Sequence, residues 1–176
     1  MATVAAVRSA PERLLFEDDG RIPNSRLPAL LYRQLPLGRD ASAFEELFAK
    51  HGWLGAWCDG IYPFHHFHSN THEVLGVARG WGEVTLGGPN GRTVRLKQGD
   101  VLVLPAGVGH KLERASGDFM VVGAYPGGRD WDVCRGEPHE RAHVLGNLAC
   151  VPLPAEDPVH GPDGPLLAAW SARSEP

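Results

Sequence analysis

A group of histidines and one glutamate lies near the middle of the chain. His65, His66, His68 and His72 are followed directly by Glu73, so five side chains able to bind a metal ion fall within nine consecutive residues. Imidazole and carboxylate groups bind divalent iron, manganese, cobalt, nickel, zinc and copper, and ligand type alone does not choose among these metals. The composition of this segment therefore indicates a metal site.

Alternation along an extended strand decides which of these side chains share a face. His66 and His68 are two residues apart and lie on one face, whereas His65 lies on the other. Residues 69–71 are typical of a short turn, and Glu73 begins a second apolar run. If the two extended segments pack against each other, the side chains of His66, His68 and Glu73 converge.

A fourth candidate ligand follows a later strand. Residues 99–109 form an apolar segment and a Pro/Gly turn, which end at His110. The predicted ligands of one divalent transition metal ion per chain are His66, His68, Glu73 and His110. Two alternatives stay open: Glu73 orients a histidine instead of binding the metal, or the metal is a structural zinc in a closed four-ligand site.

Four more residues are candidates for the surroundings of the metal. A turn before Glu73 would aim His72 inward as an alternative ligand or a proton shuttle, although a histidine at the rim of the turn is the commoner case. Strand parity places Tyr62 and Phe64 on the face of the two paired histidines. Tyr125 would contribute a hydroxyl from a strand after the second segment. Core packing is the commoner fate of all three aromatic residues.

Short strands must position these side chains. Apolar segments separated by Gly/Pro-rich turns recur from residue 53 to residue 125, and no strand–helix alternation supports a parallel sheet. The pattern predicts an all-β antiparallel sandwich or barrel. The predicted strands are 14–16, 30–33, 56–62, 64–68, 73–78, 82–86, 93–96, 101–104, 110–114 and 119–125.

The flanks of this core are expected to be less regular. Residues 1–12 are typical of a loose leader, and an N-terminal arm with one short helix is predicted over 14–52. The helix runs from Asp40 to His51, with a capping box from Ser42 to Glu45 and a stop at Gly52. The tail, residues 127–176, is rich in proline and glycine and is expected to be irregular and to wrap the barrel or a neighbouring subunit. A single domain over residues 1–176 is predicted.

Composition limits the classes of partner. The chain has 176 residues, a formal net charge of −4 and no basic cluster, which argues against nucleic acid and an anionic membrane as partners. We find neither an 18-residue apolar run nor a convincing signal peptide, so a cytoplasmic location is expected. The three cysteines lack a CxxC pair and are interpreted as free thiols.

Two motifs resemble those of the cupin superfamily. The segment Gly60–Gly80 has the order G-x5-H-x-H-x4-E-x6-G and is similar to the first cupin motif at every fixed position. The segment Gly99–His110 has the order G-x5-P-x-G-x2-H and is similar to the second motif up to its histidine. The second motif usually continues to an asparagine, where this chain has Arg114. The resemblance implies a small antiparallel jelly-roll barrel.

The resemblance is closer to the YjlB-like branch of small bacterial single-domain cupins. The segments that look like this branch span about residues 16–170 and include FEDDGRIPNSRLPALLYR, FHHFHSNTHEVLGV, GDVLVLPAGVGH and VGAYP. Small single-domain cupins imply a homodimer. The branch does not imply a substrate.

Three functions remain open from the sequence. The favoured one is a metal-dependent enzyme acting on a small oxygenated metabolite, either a dioxygenase or a non-redox isomerase or lyase. The alternatives are a non-catalytic cupin that binds or senses a small molecule, and a cupin whose metal only holds the barrel together. The converging ligands favour the enzyme, because four polar side chains without a metal are costly to bury.

Overall fold

The computed structural model describes residues 10–171. This part of the chain contains nine strands, three α-helices and one 3-10 helix. Residues 1–9 of the predicted leader and residues 172–176 of the predicted tail lie outside this part. The strands are β1 (Glu12–Phe16), β2 (Ser25–Tyr32), β3 (Trp53–Asp59), β4 (Glu73–Arg79), β5 (Trp81–Leu86), β6 (Arg92–Lys97), β7 (Val101–Leu104), β8 (His110–Ala115) and β9 (Met120–Pro126). The helices are α1 (Ala41–Lys50), a 3-10 helix (Pro138–Glu140), α2 (Arg141–Leu148) and α3 (Pro165–Ser171).

The strands form two antiparallel sheets. The larger sheet has the strand order β1-β2-β7-β4-β9-β3, and the smaller sheet has the order β6-β5-β8. Strand β1 pairs with β2, and β2 pairs with β7, so the N-terminal arm that contains β1 and β2 is part of the larger sheet. The predicted all-β antiparallel jelly-roll barrel is confirmed.

The central strands of the larger sheet, β7, β4 and β9, are buried on both faces. In β4, Leu75 and Val77 pack in one buried cluster with Val84 of the smaller sheet. Their neighbours Val74 and Ala78 pack in a second cluster that includes side chains of α1 and α3. Full burial of each leucine or valine stabilises the fold by about 1.5–3 kcal/mol. The alternation in β4 therefore directs Glu73, like Leu75, into the barrel.

The ends of α1 follow local chemistry. The Asp40 side chain caps the helix by accepting a hydrogen bond of 3.0 Å from the Ser42 backbone N–H. The predicted capping box from Ser42 to Glu45 is wrong because Asp40 already occupies the N-cap position. Gly52 ends the helix as predicted, with a φ of 79°.

The segment before β4 differs from its prediction. Residues 64–68 form no strand, and only His66 and Phe67 make isolated bridges, to His110 and Cys134 respectively. The segment is held by pairs of backbone hydrogen bonds to His110 and to Cys134, and the His68 carbonyl accepts a further bond from the Gly107 N–H. One of these bridges brings two of the predicted metal ligands side by side.

The C-terminal tail packs against the barrel. It includes α2 and α3, which the Pro/Gly-rich pattern did not reveal. Leu166 and Trp170 of α3 are buried in the outer cluster, and the Trp170 indole donates a hydrogen bond of 2.9 Å to the Pro28 carbonyl. None of the helices in residues 10–171 is long and apolar enough to cross a membrane. All three cysteines are free thiols.

Gly76 allows α1 to lie close to the larger sheet. A Cβ at this position would stand 2.4 Å from Phe44 Cδ1 and 2.9 Å from Phe48 Cζ, and both rings are fully buried. We expect Gly76→Ala to lower the free energy of unfolding by about 1–3 kcal/mol, because the buried rings have little room to move. Urea denaturation followed by circular dichroism measures the change.

Gly117 provides the matched control for this substitution. A Cβ at Gly117 meets no atom within 4 Å, so Gly117→Ala should change stability by less than about 0.5 kcal/mol. Equal stability of the two variants would show that α1 does not press on β4 as described.

Candidate metal centre

His66, His68 and His110 come together inside the barrel. Their side chains are buried, and one ring nitrogen of each lies within 4.8 Å of those of the other two. The backbones of His66 and His110 exchange two hydrogen bonds, of 3.2 and 2.9 Å, which places their rings 4.0 Å apart between centroids. The structure thus brings together the three predicted histidines, and this group can hold a metal ion.

Backbone carbonyls orient all three rings. The Nδ1 atom of His66 lies 2.9 Å from the Phe64 carbonyl oxygen, and that of His110 lies 3.1 Å from the Val108 carbonyl oxygen. The Nδ1 atom of His68 is bonded to the carbonyl of Asp132. A carbonyl oxygen only accepts hydrogen bonds, so each Nδ1 carries a proton and the Nε2 atom is the one available to a metal.

Glu73 faces two of the histidines. Its Oε2 atom lies 3.0 Å from His68 Nε2, and its Oε1 atom lies 3.5 Å from His110 Nε2. Burial opposes ionisation of Glu73, but the positive charge of His68 and hydrogen bonds with His110 and His68 outweigh it and hold the pKa of the carboxyl below its usual range. The structure therefore places a carboxylate beside the histidines, as the sequence predicts.

The surroundings of His66 and His68 favour the binding of a cation. Burial, together with the charge of His110, lowers the pKa of His66 to about 3, so this imidazole stays neutral and keeps a lone pair. Burial also opposes protonation of His68, but Glu73 outweighs it and raises the His68 pKa. A carboxylate that attracts a proton to His68 Nε2 equally attracts a divalent cation to the same place. Nitrogen and oxygen donors of this kind match the preferences of divalent transition metals.

The three histidines and Glu73 line an open cavity of about 360 Å³. Its wall includes the three histidines, Glu73 and a set of aromatic side chains, namely Trp57, Tyr62, Tyr125 and Trp131. Phe64, which parity placed on the same face, does not line the cavity. Its ring stacks behind Tyr62 at a centroid distance of 5.0 Å.

Tyr125 presents its hydroxyl to the cavity. The hydroxyl oxygen accepts a hydrogen bond of 2.6 Å from the Trp57 indole N–H. Burial and the nearby negative charge of Glu73 raise the pKa of Tyr125, so the hydroxyl keeps its proton. The Tyr125 side chain also forms a hydrogen bond with Glu73, so its O–H is directed to the carboxylate that faces the histidines.

His72 lies outside the cavity. Its Nδ1 atom accepts a hydrogen bond of 2.9 Å from the Ala106 N–H, and its Nε2 atom lies 3.2 Å from the Pro152 carbonyl oxygen. Its ring packs against Trp170 at 4.8 Å between centroids. With both nitrogens bonded to the backbone, His72 is neither an alternative ligand nor a proton shuttle in this structure, and it holds the turn before His110 in place.

His65 also lies apart from the three histidines. It lines a separate cleft together with Lys111 and Arg135, on the side opposite to His66. Alternation predicts this placement even though residues 64–68 form no regular strand.

Sequence reasoning missed the part of the tail that supports His68. The Asp132 carboxylate accepts hydrogen bonds from the Ser69 backbone N–H, at 2.7 Å, and from the Ser69 hydroxyl. The Asp132 backbone N–H in turn donates to the Asn70 side chain at 3.1 Å. No local pattern signals these contacts, because residues 69 and 132 are 63 positions apart.

A bacterial relative covers almost the whole chain. The chain is 43% identical over 156 residues to "Uncharacterized protein YjlB" of Bacillus subtilis (strain 168), which corresponds to 88% of this chain and 93% of that protein. The Cupin_2 cupin-domain model matches residues 59–122. The chain belongs to the cupin family. The YjlB-like resemblance of the sequence is thereby confirmed.

Solved structures similar to this cupin are distant in sequence. One is acireductone dioxygenase from Bacillus anthracis with a cadmium ion in its active center, at 18% identity and a TM-score of 0.38, over 55% of this chain and 76% of that one. Another is the WlaRB TDP-quinovose 3,4-ketoisomerase from Campylobacter jejuni, at 18% identity and a TM-score of 0.40, over 52% and 74% of the two chains. Neither likeness bears on the activity of this cupin.

The hydrogen bonds of His72 generate a prediction. We expect His72→Ala to lower the free energy of unfolding by about 1–3 kcal/mol, because the Ala106 N–H would be left buried without a partner. The amount of metal bound at saturation should not change. Denaturation curves and elemental analysis of the same preparation measure the two quantities.

His139 is exposed and provides the control for this experiment. His139→Ala should alter stability by less than about 0.5 kcal/mol. A folded His72→Ala variant that cannot bind metal would instead make His72 part of the metal site.

Proposed function

We propose that this cupin is a metal-dependent enzyme that acts on a small oxygenated metabolite, as a dioxygenase or as a non-redox isomerase or lyase. In this proposal His66, His68, Glu73 and His110 hold one divalent transition metal ion per chain. The observation that supports it best is the position of the three imidazoles, whose Nε2 atoms meet at the inner end of a cavity of about 360 Å³.

The cavity argues against a purely structural metal. A structural zinc site is closed, with four protein ligands around the ion. Here the three histidines and Glu73 all line an opening large enough for a small molecule. A site that faces such an opening leaves room for a ligand beside the metal.

The metal would supply one kind of chemistry and the protein another. A divalent ion held by these residues supplies Lewis acidity toward oxygen atoms of a ligand and, when it is iron or another redox-active metal, electron transfer. The chain itself keeps the imidazoles oriented through the Phe64, Val108 and Asp132 carbonyls. Tyr125 keeps a protonated hydroxyl that hydrogen-bonds Glu73 at the cavity wall. Glu73 reduces the positive charge of the centre.

The proposed ligands can be tested one at a time. We expect His66→Ala and His110→Ala each to remove most of the bound metal, because each substitution deletes one of three converging nitrogens. The barrel should stay folded, since its stability comes mainly from the apolar clusters on both faces of the larger sheet. Elemental analysis and circular dichroism of the purified variants measure these two effects.

His65 is the matched control, because it is adjacent to His66 but faces a different cleft. His65→Ala should retain the metal content of the unmodified protein. Glu73→Gln should weaken metal binding more mildly than either histidine substitution, because the glutamine keeps an oxygen donor and loses only the negative charge. Full metal content in His66→Ala or His110→Ala would refute the ligand assignment.

The reaction class requires a measurement on the intact protein. We expect protein purified without a histidine tag or chelator to contain about one divalent ion per chain. After anaerobic loading with Fe(II), oxygen uptake is measured with pooled metabolites that carry two neighbouring oxygen atoms. Uptake that depends on a metabolite would support a dioxygenase, and turnover without uptake would support an isomerase or lyase. Ligand binding without any turnover would refute the enzyme and leave a binding or sensing protein.

The oligomeric state is a separate part of the proposal. We propose a homodimer, on the basis of the resemblance to small single-domain cupins. Sedimentation equilibrium of the full chain distinguishes a dimer from a monomer of 19.0 kDa.

A further inference from the structure

The cavity beside the metal ligands has aromatic walls on two sides. On one side the rings of Tyr125 and Trp131 are stacked at 6.0 Å with an interplanar angle of 22°, and Trp131 meets the His68 ring edge-on at 5.4 Å. On the other side Tyr62 meets the His66 ring edge-on at 5.1 Å. The space next to the two histidines is therefore bordered by flat apolar faces. Such faces favour a flat ligand, because ring stacking adds to the burial of apolar area.

Apart from its histidines, the cavity wall carries only acidic charge. Among the described residues that line this cavity, none is a lysine or an arginine, and the two acidic ones are Asp59 and Glu73. The neighbouring cleft differs, since Arg21, Lys111 and Arg135 all contribute to it. A ligand with a phosphate or carboxylate away from the metal would find no cationic side chain in the cavity wall. It would instead approach the Asp59 carboxylate.

The size of the cavity suits a single substituted ring. A cavity of about 150 Å³ is enough to hold benzene. The present cavity of about 360 Å³ has room for one ring with short substituents. Two fused or linked ring systems with several substituents would extend beyond the wall.

We propose that the cavity takes a single planar ring that carries two adjacent oxygen donors for the metal, and whose remaining substituents are uncharged or cationic. This inference rests on the metal-dependent function proposed above and narrows its substrate class. The adjacent oxygens face the metal ligands at the inner end. The ring lies between the walls formed by Tyr62 and by Tyr125 with Trp131, and the substituent points toward Asp59.

A series of catechols of equal size tests the charge preference. The probes are dopamine, 4-ethylcatechol and 3,4-dihydroxyphenylacetate, which share the metal-binding head and carry a positive, no and a negative charge at pH 7. Zinc is the loading metal, because it has no redox chemistry that would oxidise the probes. Isothermal titration calorimetry of the full chain, with and without zinc, measures the dissociation constants.

We expect dopamine and 4-ethylcatechol to bind the zinc-loaded protein at least about fivefold more tightly than 3,4-dihydroxyphenylacetate. The reason is that the Asp59 carboxylate in the cavity wall repels the carboxylate of that probe. Asp59→Asn should reduce the difference between dopamine and the acid. Trp131→Ala and Tyr62→Ala should each raise the dissociation constants of all three probes about three- to tenfold, because each substitution removes an aromatic ring from the cavity wall. Leu153→Ala, a truncation of an exposed apolar residue outside this cavity, is the control and should leave all three constants unchanged.

The outcomes separate this inference from the proposed function. Zinc content and zinc affinity are measured on the same protein, so failure to bind zinc refutes the metal-dependent function and the inference with it. If zinc binds but the acid is the tightest probe, or no catechol binds, the substrate class is wrong and the metal centre stands. If each probe has the same dissociation constant for the Trp131→Ala, Tyr62→Ala and unmodified proteins, the proposed contact between the ring of the ligand and the aromatic walls is also wrong.

Discussion

The direction of three imidazole rings depends on three backbone carbonyls. Each carbonyl accepts the Nδ1 proton of one histidine, which turns the Nε2 atom toward the common centre. For His66 and His110 the acceptor lies two residues earlier in the same segment, so local backbone geometry is sufficient. For His68 the acceptor is Asp132, which belongs to the tail. The candidate metal centre is therefore a product of the barrel and the tail together.

The electrostatics of the interior explain why the polar residues are grouped. Glu73 occupies the first position of a strand whose next inward residues, Leu75 and Val77, belong to the apolar core between the sheets. A single carboxylate at that depth would lose its hydration without compensation. The two imidazoles that face it provide the compensation in the absence of a metal, and a divalent cation provides more. The same burial that lowers the pKa of His66 keeps its lone pair available.

Local patterns in the sequence were sufficient for much of the fold and for the convergence of His66, His68, His110 and Glu73. Alternation in β4 correctly directed Glu73 inward, and it separated His66 from His65 although single bridges replace the expected strand. The distant contacts were not predictable, because the bond between His68 and Asp132 joins residues 64 positions apart and has no local signature. The role of His72 could not be predicted for a related reason, since its hydrogen-bond partners Ala106 and Pro152 lie on other segments.

The tail connects the support of His68 to the shape of the cavity. Trp131 forms part of the aromatic wall, and the next residue, Asp132, holds His68. Asp132 is in turn fixed by the Ser69 hydroxyl, which also accepts a hydrogen bond of 2.9 Å from the Asn147 side chain, close to the end of α2. Because these two consecutive residues share one backbone, a displacement of the tail would change the cavity wall and the orientation of His68 at the same time. Ligand contact with Trp131 and metal binding by His68 are therefore expected to be energetically coupled through the tail.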